Sequence, residues 1–91
     1  MEISYDNFKK LGNGEIIDLR ESYKYLKVHL PSSINVSFDS LIVYPERYLV
    51  KNKNYLLVCD SGIKSLKTSE ILRKNGYKTY SLKGGFNKVL M

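Results

Sequence analysis

Short apolar runs alternate with segments of helical periodicity along the 91 residues of the chain. The clearest run is Tyr55 to Val58, which is apolar at every position, as in a strand that a parallel sheet buries on both faces. Ile16 and Ile17 mark a second buried strand within residues 15–18, and residues 78–82 form the last predicted strand. This alternation predicts an α/β domain with a mainly parallel central sheet and helices on both of its faces.

Capping residues and chain breakers define the predicted helices. Ser4 can cap a helix that runs to Leu11, and Gly12-Asn13-Gly14 then ends it. One face of that helix would hold Tyr5, Phe8 and Leu11. The remaining predicted elements are helices over 21–26, 38–44 and 63–75, a helical turn over 46–50, a short helix after Gly84-Gly85, and short strands at Ile3 and 34–36.

The long helix predicted over 63–75 carries mostly small side chains on one face. Ser65, Thr68, Ser69 and Leu72 are spaced i, i+3, i+4 and i+7, so they lie on the same side of the helix. Because three of these side chains are small, the helix backbone can approach the sheet closely.

The composition is that of a globular protein. Hydrophobic residues make up 43% of the chain and aromatic residues 12%, which argues against intrinsic disorder. The length suits one domain, so we expect residues 1–91 to form a single domain. The sequence gives no sign of oligomerisation, so we expect a monomer. The net charge of +6 is scattered along the chain and accompanies no nucleic-acid-binding motif, so we expect no nucleic-acid partner.

The sequence also bears on the compartment. No run approaches the roughly 18 apolar residues of a membrane span, and residues 1–6 lack the pattern of a signal peptide, so we expect a cytoplasmic protein without a membrane partner. The chain has one cysteine and cannot form an internal disulfide. A free thiol suits a reducing compartment.

That cysteine, Cys59, follows the clearest strand and precedes the long helix. Ligands of open parallel sheets bind beyond the carboxyl ends of the strands, and a helix N-terminus favours an anion. A thiol placed there is favoured as the nucleophilic thiolate, surrounded by inward-facing loop amides. Gly62 allows the loop to curl around the sulfur, and Ser61 and Ser65 can donate hydrogen bonds. Lys64 is a cation at the positive end of the helix, which suggests that an anion compensates it.

A cysteine after Leu-Leu-Val can also be only a small buried hydrophobic residue. That explanation accounts for neither a glycine three residues later nor a cation five residues later. We therefore favour a chemical role for Cys59.

The loop Cys59-Asp60-Ser61-Gly62-Ile63-Lys64-Ser65 resembles the active-site loop of single-domain rhodaneses, usually Cys-x-x-Gly-x-Arg-Ser. The early Ile17-Asp18-Leu19-Arg20 resembles the strand of that family that ends in Asp-x-Arg. Three further segments resemble family elements in order and spacing: His29-Leu30-Pro31-Ser32-Ser33-Ile34-Asn35, Asn75-Gly76-Tyr77, and Leu82-Lys83-Gly84-Gly85-Phe86.

The resemblance implies a rhodanese-like fold and a sulfurtransferase mechanism. Cys59 would accept a sulfane sulfur from a small anionic donor such as thiosulfate and become a persulfide. A thiol or cyanide would then remove that sulfur by ping-pong exchange, with no metal or organic cofactor. A sulfur-relay protein is a further possible partner. The implied substrate-binding residues are Asp60, Ser61, Gly62, Ile63, Lys64 and Ser65.

Two other functions stay open at this point. A phosphatase or arsenate reductase of related fold typically needs Cys-x5-Arg, and Ser65 stands where that arginine would be. A non-catalytic rhodanese-like binding module often loses its cysteine, whereas this chain keeps Cys59 and Gly62.

The chain departs from the family pattern at four positions. Lys64 replaces the usual arginine, which removes bidentate binding of an oxyanion. Val28 and Ser32 replace the usual glycines, and Phe86 replaces the usual tryptophan.

Three polar residues outside the loop need a role. We expect Asp18 and Arg20 to form a supporting pair near the loop rather than to act in catalysis. His29 is the only histidine, and its place before Leu30-Pro31 predicts a turn residue with a fixed hydrogen bond rather than a general base.

Overall fold

Five strands form one sheet in which every neighbouring pair is parallel, so the prediction of an α/β fold with a mainly parallel sheet is confirmed. The computed structural model describes residues 1–90, and Met91, the last residue of the predicted domain, lies outside them. The strands are β1 (Glu2–Ile3), β2 (Gly14–Asp18), β3 (Ile34–Asn35), β4 (Asn54–Val58) and β5 (Lys78–Leu82), in the spatial order β1-β5-β4-β2-β3.

Five α-helices connect or follow these strands in residues 1–90: α1 (Tyr5–Leu11), α2 (Ser22–Lys27), α3 (Phe38–Val43), α4 (Ile63–Lys74) and α5 (Gly85–Val89). Ser4 caps α1 as predicted, because its side chain accepts a hydrogen bond from the Asn7 backbone N–H. No helix of the described residues is long and apolar enough to cross a membrane.

Two local predictions need correction. The strand predicted over 34–36 ends at Asn35. The helical turn predicted over 46–50 is a 3₁₀ turn at Pro45–Arg47, because proline at its start fixes the φ angle of a first turn. On the face of α1 that holds Tyr5, Phe8 and Leu11, Phe8 is buried and Leu11 is 45% exposed.

Alternate residues of β4 build two hydrophobic clusters, one on each face of the sheet. Tyr55 and Leu57 belong to the cluster that Leu41 of α3 and Leu72 of α4 complete. The opposite cluster contains Leu56 and Val58 with Phe8 of α1 and Phe86 of α5. This two-sided burial is the reason for the unbroken apolar run of β4, and it fixes the strand that Cys59 directly follows.

Candidate active site

Cys59 lies directly after the central strand β4, and two other elements hold its backbone in place. The Phe86 amide at the start of α5 donates to the Cys59 carbonyl at 2.8 Å, and the Asn87 amide donates to the Asp60 carbonyl at 2.9 Å. On the other side, the Leu19 amide donates to the Val58 carbonyl at 2.7 Å. The backbone that carries the sulfur is therefore anchored by α5 and by Leu19, which directly follows β2.

Two backbone N–H groups of the following loop point at the sulfur. The amide of Gly62 lies 3.1 Å from Cys59 Sγ, and the amide of Ser65 lies 3.2 Å from it. Gly62 has a φ of +93°, a left-handed conformation that glycine adopts without strain and that turns the chain into α4. The Ile63 amide donates instead to Ser61 Oγ at 3.4 Å, so it is not directed at the sulfur.

A hydroxyl also contacts the sulfur. Cys59 Sγ donates to Ser65 Oγ at 3.2 Å, and both residues are buried. Ser65 Oγ in turn lies 2.6 Å from Ser81 Oγ on β5. The Gly62 and Ser65 amides are donors from which an anionic sulfur can also accept, whereas the Ser65 hydroxyl accepts from the thiol.

The sulfur borders a small cavity rather than a sealed interior, although Cys59 is only 6% exposed. The cavity measures about 180 Å³, below the volume of sites for drug-sized ligands, and so suits a small substrate. Its lining residues are Leu19, Arg20, Glu21, Cys59, Asp60, Ser61 and Lys64.

The predicted pair of Asp18 and Arg20 forms one wall beside this cavity. Arg20 Nη2 lies 2.8 Å from Asp18 Oδ2, and the two side chains are 3% and 1% exposed. Arg20 Nη2 also donates to the Val28 carbonyl at 2.7 Å, and the guanidinium carbon lies 3.7 Å from the centre of the Phe86 ring. Because the Asp18 carboxylate neutralises the Arg20 guanidinium and the Phe86 ring covers it, Arg20 is a structural part of the cavity wall.

Asp60 is tied to α2 by an ion pair. Lys24 Nζ lies 2.9 Å from Asp60 Oδ2, and both side chains are partly exposed. The hydrogen bond to Asp60 raises the pKa of Lys24 above its ordinary value, against the smaller opposing effect of desolvation. This pair connects the loop to a helix that contributes no buried residue of its own.

Lys64, at the start of α4, is exposed and lines the cavity. Its Nζ lies 5.1 Å from the centre of the Phe38 ring, within the range of a cation–π contact. Ser61 and Ile63 are exposed on the same loop. Of the residues predicted to bind substrate, Asp60, Ser61 and Lys64 thus line the cavity, Gly62 and Ser65 contact the sulfur, and Ile63 does neither.

His29 has the fixed hydrogen bond that the sequence predicts. Its Nδ1 lies 2.7 Å from the Tyr25 carbonyl oxygen, and its ring stacks on Tyr25 with centroids 4.0 Å apart. It does not line the cavity at Cys59. Within residues 1–90, no group of three or more His, Cys, Asp or Glu side chains is placed to hold a metal ion.

Sequence reasoning missed three residues of this site, Glu21, Lys24 and Ser81, and it missed the stacking of Phe86 on Arg20. For Ser81 a signal exists, because Thr79 and Ser81 alternate on β5 and face the small side chains predicted on α4. The contacts of Lys24 with Asp60 and of Phe86 with Arg20 join residues far apart in sequence, so no local pattern predicts them.

Comparisons with known proteins agree with the geometry. The family model described as "Rhodanese-like domain" matches residues 4–91. A tRNA sulfurtransferase of Pyrobaculum aerophilum is 39% identical over 74 residues, which are 81% of this chain and 15% of that protein. The chain therefore spans only a small part of that relative.

Two further proteins match along most of their own length. The putative sulfurtransferase YtwF of Bacillus subtilis is 29% identical over 77% of this chain and 67% of that protein. A rhodanese-related protein of Thermoplasma volcanium superposes with a TM-score of 0.83 at 22% identity, over 98% of this chain and 89% of that one. The second likeness shows the same fold.

Proposed function

Because this chain belongs to the rhodanese-like domain family, we propose that it is a sulfurtransferase that carries sulfane sulfur as a persulfide on Cys59. The proposed donor is a small anion such as thiosulfate, and the proposed acceptor is cyanide or a thiol. The observation that carries the proposal is the convergence of the Gly62 and Ser65 amides on Cys59 Sγ, at 3.1 and 3.2 Å.

The proposed reaction has two steps that share one intermediate. The Cys59 thiolate attacks the sulfane sulfur of thiosulfate, a new S–S bond forms, and sulfite leaves with the electron pair of the broken bond. The acceptor then attacks the outer sulfur of the persulfide, and the Cys59 thiolate leaves. Neither step requires an external oxidant or reductant.

The surroundings of Cys59 support both steps. Amide donors stabilise negative charge on the sulfur when it attacks and again when it leaves, since the same thiolate is present before the first step and after the second. The cavity of about 180 Å³ admits a small anion, and Lys64 at its edge supplies a positive charge. The Lys64 ammonium attracts an oxyanion but cannot form the bidentate hydrogen bonds that a guanidinium forms.

A protein thiol is the acceptor that we propose for the cell, as part of a sulfur relay. Relatives named as a tRNA sulfurtransferase and a putative sulfurtransferase support transfer of sulfur as the shared chemistry. The chain corresponds to 15% of the first relative, so the tRNA in that name is not carried over.

Steady-state kinetics test the proposal. With thiosulfate and cyanide, thiocyanate formation should give parallel double-reciprocal lines, because the sulfite leaves before the acceptor reacts. Cys59→Ser should abolish turnover, and His29→Gln should retain it because His29 lies outside the cavity. Intersecting lines, or turnover by Cys59→Ser, would rule out the persulfide route.

A further inference from the structure

Two buried hydroxyl groups connect the sulfur of Cys59 to strand β5. Ser65 Oγ lies 3.2 Å from Cys59 Sγ and 2.6 Å from Ser81 Oγ. Ser65 and Ser81 are both fully buried, so water does not compete for these hydrogen bonds. Both hydroxyls also have the Gly62 carbonyl oxygen as an acceptor, at 3.3 Å from each.

Each hydroxyl has a single proton, which limits how the chain of hydrogen bonds can be arranged. When Cys59 is a thiol, its S–H donates to Ser65 Oγ. Ser65 then donates to Ser81, and Ser81 donates to the Gly62 carbonyl. Every proton of the chain has an acceptor in this arrangement.

When Cys59 loses its proton to solvent, the same atoms satisfy the reversed chain. Ser65 turns its proton to the thiolate, and Ser81 turns its proton to Ser65 Oγ. The Gly62 carbonyl keeps a donor, because the Leu66 amide lies 3.1 Å from it. The reversal therefore leaves no buried donor without an acceptor.

We propose that Ser81 is a positioning residue that holds Ser65 as a hydrogen-bond donor to the Cys59 thiolate. Without the Ser81 hydroxyl, the Ser65 oxygen loses its donor in the ionised state, and the Gly62 carbonyl, 3.3 Å away, remains as a competing acceptor for the Ser65 proton. The inference deepens the proposed sulfur transfer, since the thiolate starts that reaction. The inference concerns only the ionisation of Cys59, so it can be tested even if the chain transfers no sulfur.

Six charged groups line the cavity at Cys59 or pair with a residue that lines it. Arg20 is paired with Asp18, and Asp60 is paired with Lys24. The other charged residues that line the cavity are Glu21 and Lys64. Within residues 1–90, none of these six groups shares a hydrogen bond or an ion pair with Ser81, so a shift caused by a substitution at Ser81 reports on the hydroxyl chain.

The same two elements offer a matched control. Ser69 of α4 and Thr79 of β5 form a second pair of buried hydroxyls, with the oxygens 3.0 Å apart. Thr79 Oγ1 also donates to the Ser69 carbonyl, so Ser69→Ala leaves it a partner. This pair stabilises the packing of α4 on β5 in the same way but does not touch Cys59.

The rate of alkylation by iodoacetamide as a function of pH measures the ionisation directly. The thiolate attacks carbon, a C–S bond forms, iodide leaves with the bonding pair, and the thiol proton passes to buffer. Cys59 is the only thiol of the chain, so the loss of free thiol reports on it alone. The midpoint of the pH profile is compared for wild type, Ser81→Ala, Ser81→Thr and Ser69→Ala.

We expect Ser81→Ala to move this midpoint upward by roughly half a pH unit, as expected for weakening one hydrogen bond to an anion. Ser81→Thr, which keeps the hydroxyl, and Ser69→Ala should retain the wild-type midpoint. In a Ser65→Ala background, Ser81→Ala should add no further shift, because the effect passes through Ser65. An unshifted Ser81→Ala, an equal shift in Ser69→Ala or Ser81→Thr, or a full additional shift without Ser65 would overturn the proposal.

Discussion

Gly85 packs directly on the backbone of Asp60. A Cβ atom at Gly85 would overlap the Asp60 carbonyl oxygen and lie 2.6 Å from the Gly62 nitrogen. Gly85 also has a φ of +68°, so the position requires glycine for two independent reasons. The α5 segment thus presses on the loop that holds the sulfur, and the shape of that loop depends on a residue more than twenty positions further along the chain.

Gly85→Ala should therefore disrupt sulfur transfer. Because the new methyl group must push Asp60 and Gly62 away, the amide donor at the sulfur moves, and a displacement of about 1 Å can lower a rate by roughly 100-fold. Initial rates with thiosulfate and cyanide measure the effect. Gly12→Ala is the control, since Gly12 has a φ of +70° with no atom within 4 Å of the added Cβ. Equal activity of the two variants would contradict this role of Gly85.

The buried pair of Asp18 and Arg20 should stabilise the wall of the cavity. Arg20→Met leaves the Asp18 carboxylate buried without its partner, which costs about 3–5 kcal/mol. The double variant Asp18→Leu, Arg20→Met should be less destabilised than the sum of the single variants, because it leaves no uncompensated charge. Urea unfolding measures the free energies. Additive losses would show that the ion pair has no coupling of its own.

Local patterns predicted the elements that carry the site. The unbroken apolar run of β4 and the glycine after it located Cys59 at the end of a strand, where the structure places it. The spacing of Ser65, Thr68 and Ser69 predicted the buried face of α4. Such signals are local because a strand or helix repeats its environment every two to four residues.

Contacts between distant segments had no such signal. The sequence predicts only that Gly85 introduces a helix, because the contact of Gly85 with Asp60 depends on how α5 packs on the end of β4. The 45% exposure of Leu11 is a similar case, because periodicity places a residue on a face but does not say how far the sheet extends beneath it. The pairing of Lys24 with Asp60 also joins segments 36 residues apart.

Lys64 should determine how well an anionic donor is used. Lys64→Met removes the cation at the edge of the cavity and should lower kcat/KM for thiosulfate by about 10-fold, a magnitude typical of one nearby charge near a protein surface. Lys67→Met is the control, because Lys67 lies on the same helix but does not line the cavity at Cys59. Lys64→Arg should raise kcat/KM through two-point binding of the oxyanion. A similar loss in both methionine variants would indicate a general charge effect.

The ion pair of Lys24 with Asp60 should contribute to the free energy of unfolding, and this contribution should disappear at high pH. The pKa of Lys24 is raised in the folded state, so its contribution is complete below the ordinary value of 10.5 and is lost as the pH rises through the folded value. Urea unfolding from neutral pH to about pH 11 should show the difference between wild type and Lys24→Met shrinking above 10.5. Lys27→Met on the same helix should show no such change, since Lys27 has no ion pair within residues 1–90. A difference that stays constant to the highest pH would exclude this linkage.

The intact mass of the protein after incubation with thiosulfate tests the sulfur-carrying role of Cys59 most directly. We expect the wild-type mass to rise by one sulfur atom and to return to its original value when cyanide is added. Cys59→Ser, which lacks the only thiol of the chain, should stay unmodified under the same conditions. An unchanged wild-type mass with thiosulfate and with a panel of alkyl persulfides, in protein whose Cys59 still reacts with iodoacetamide, would contradict the account.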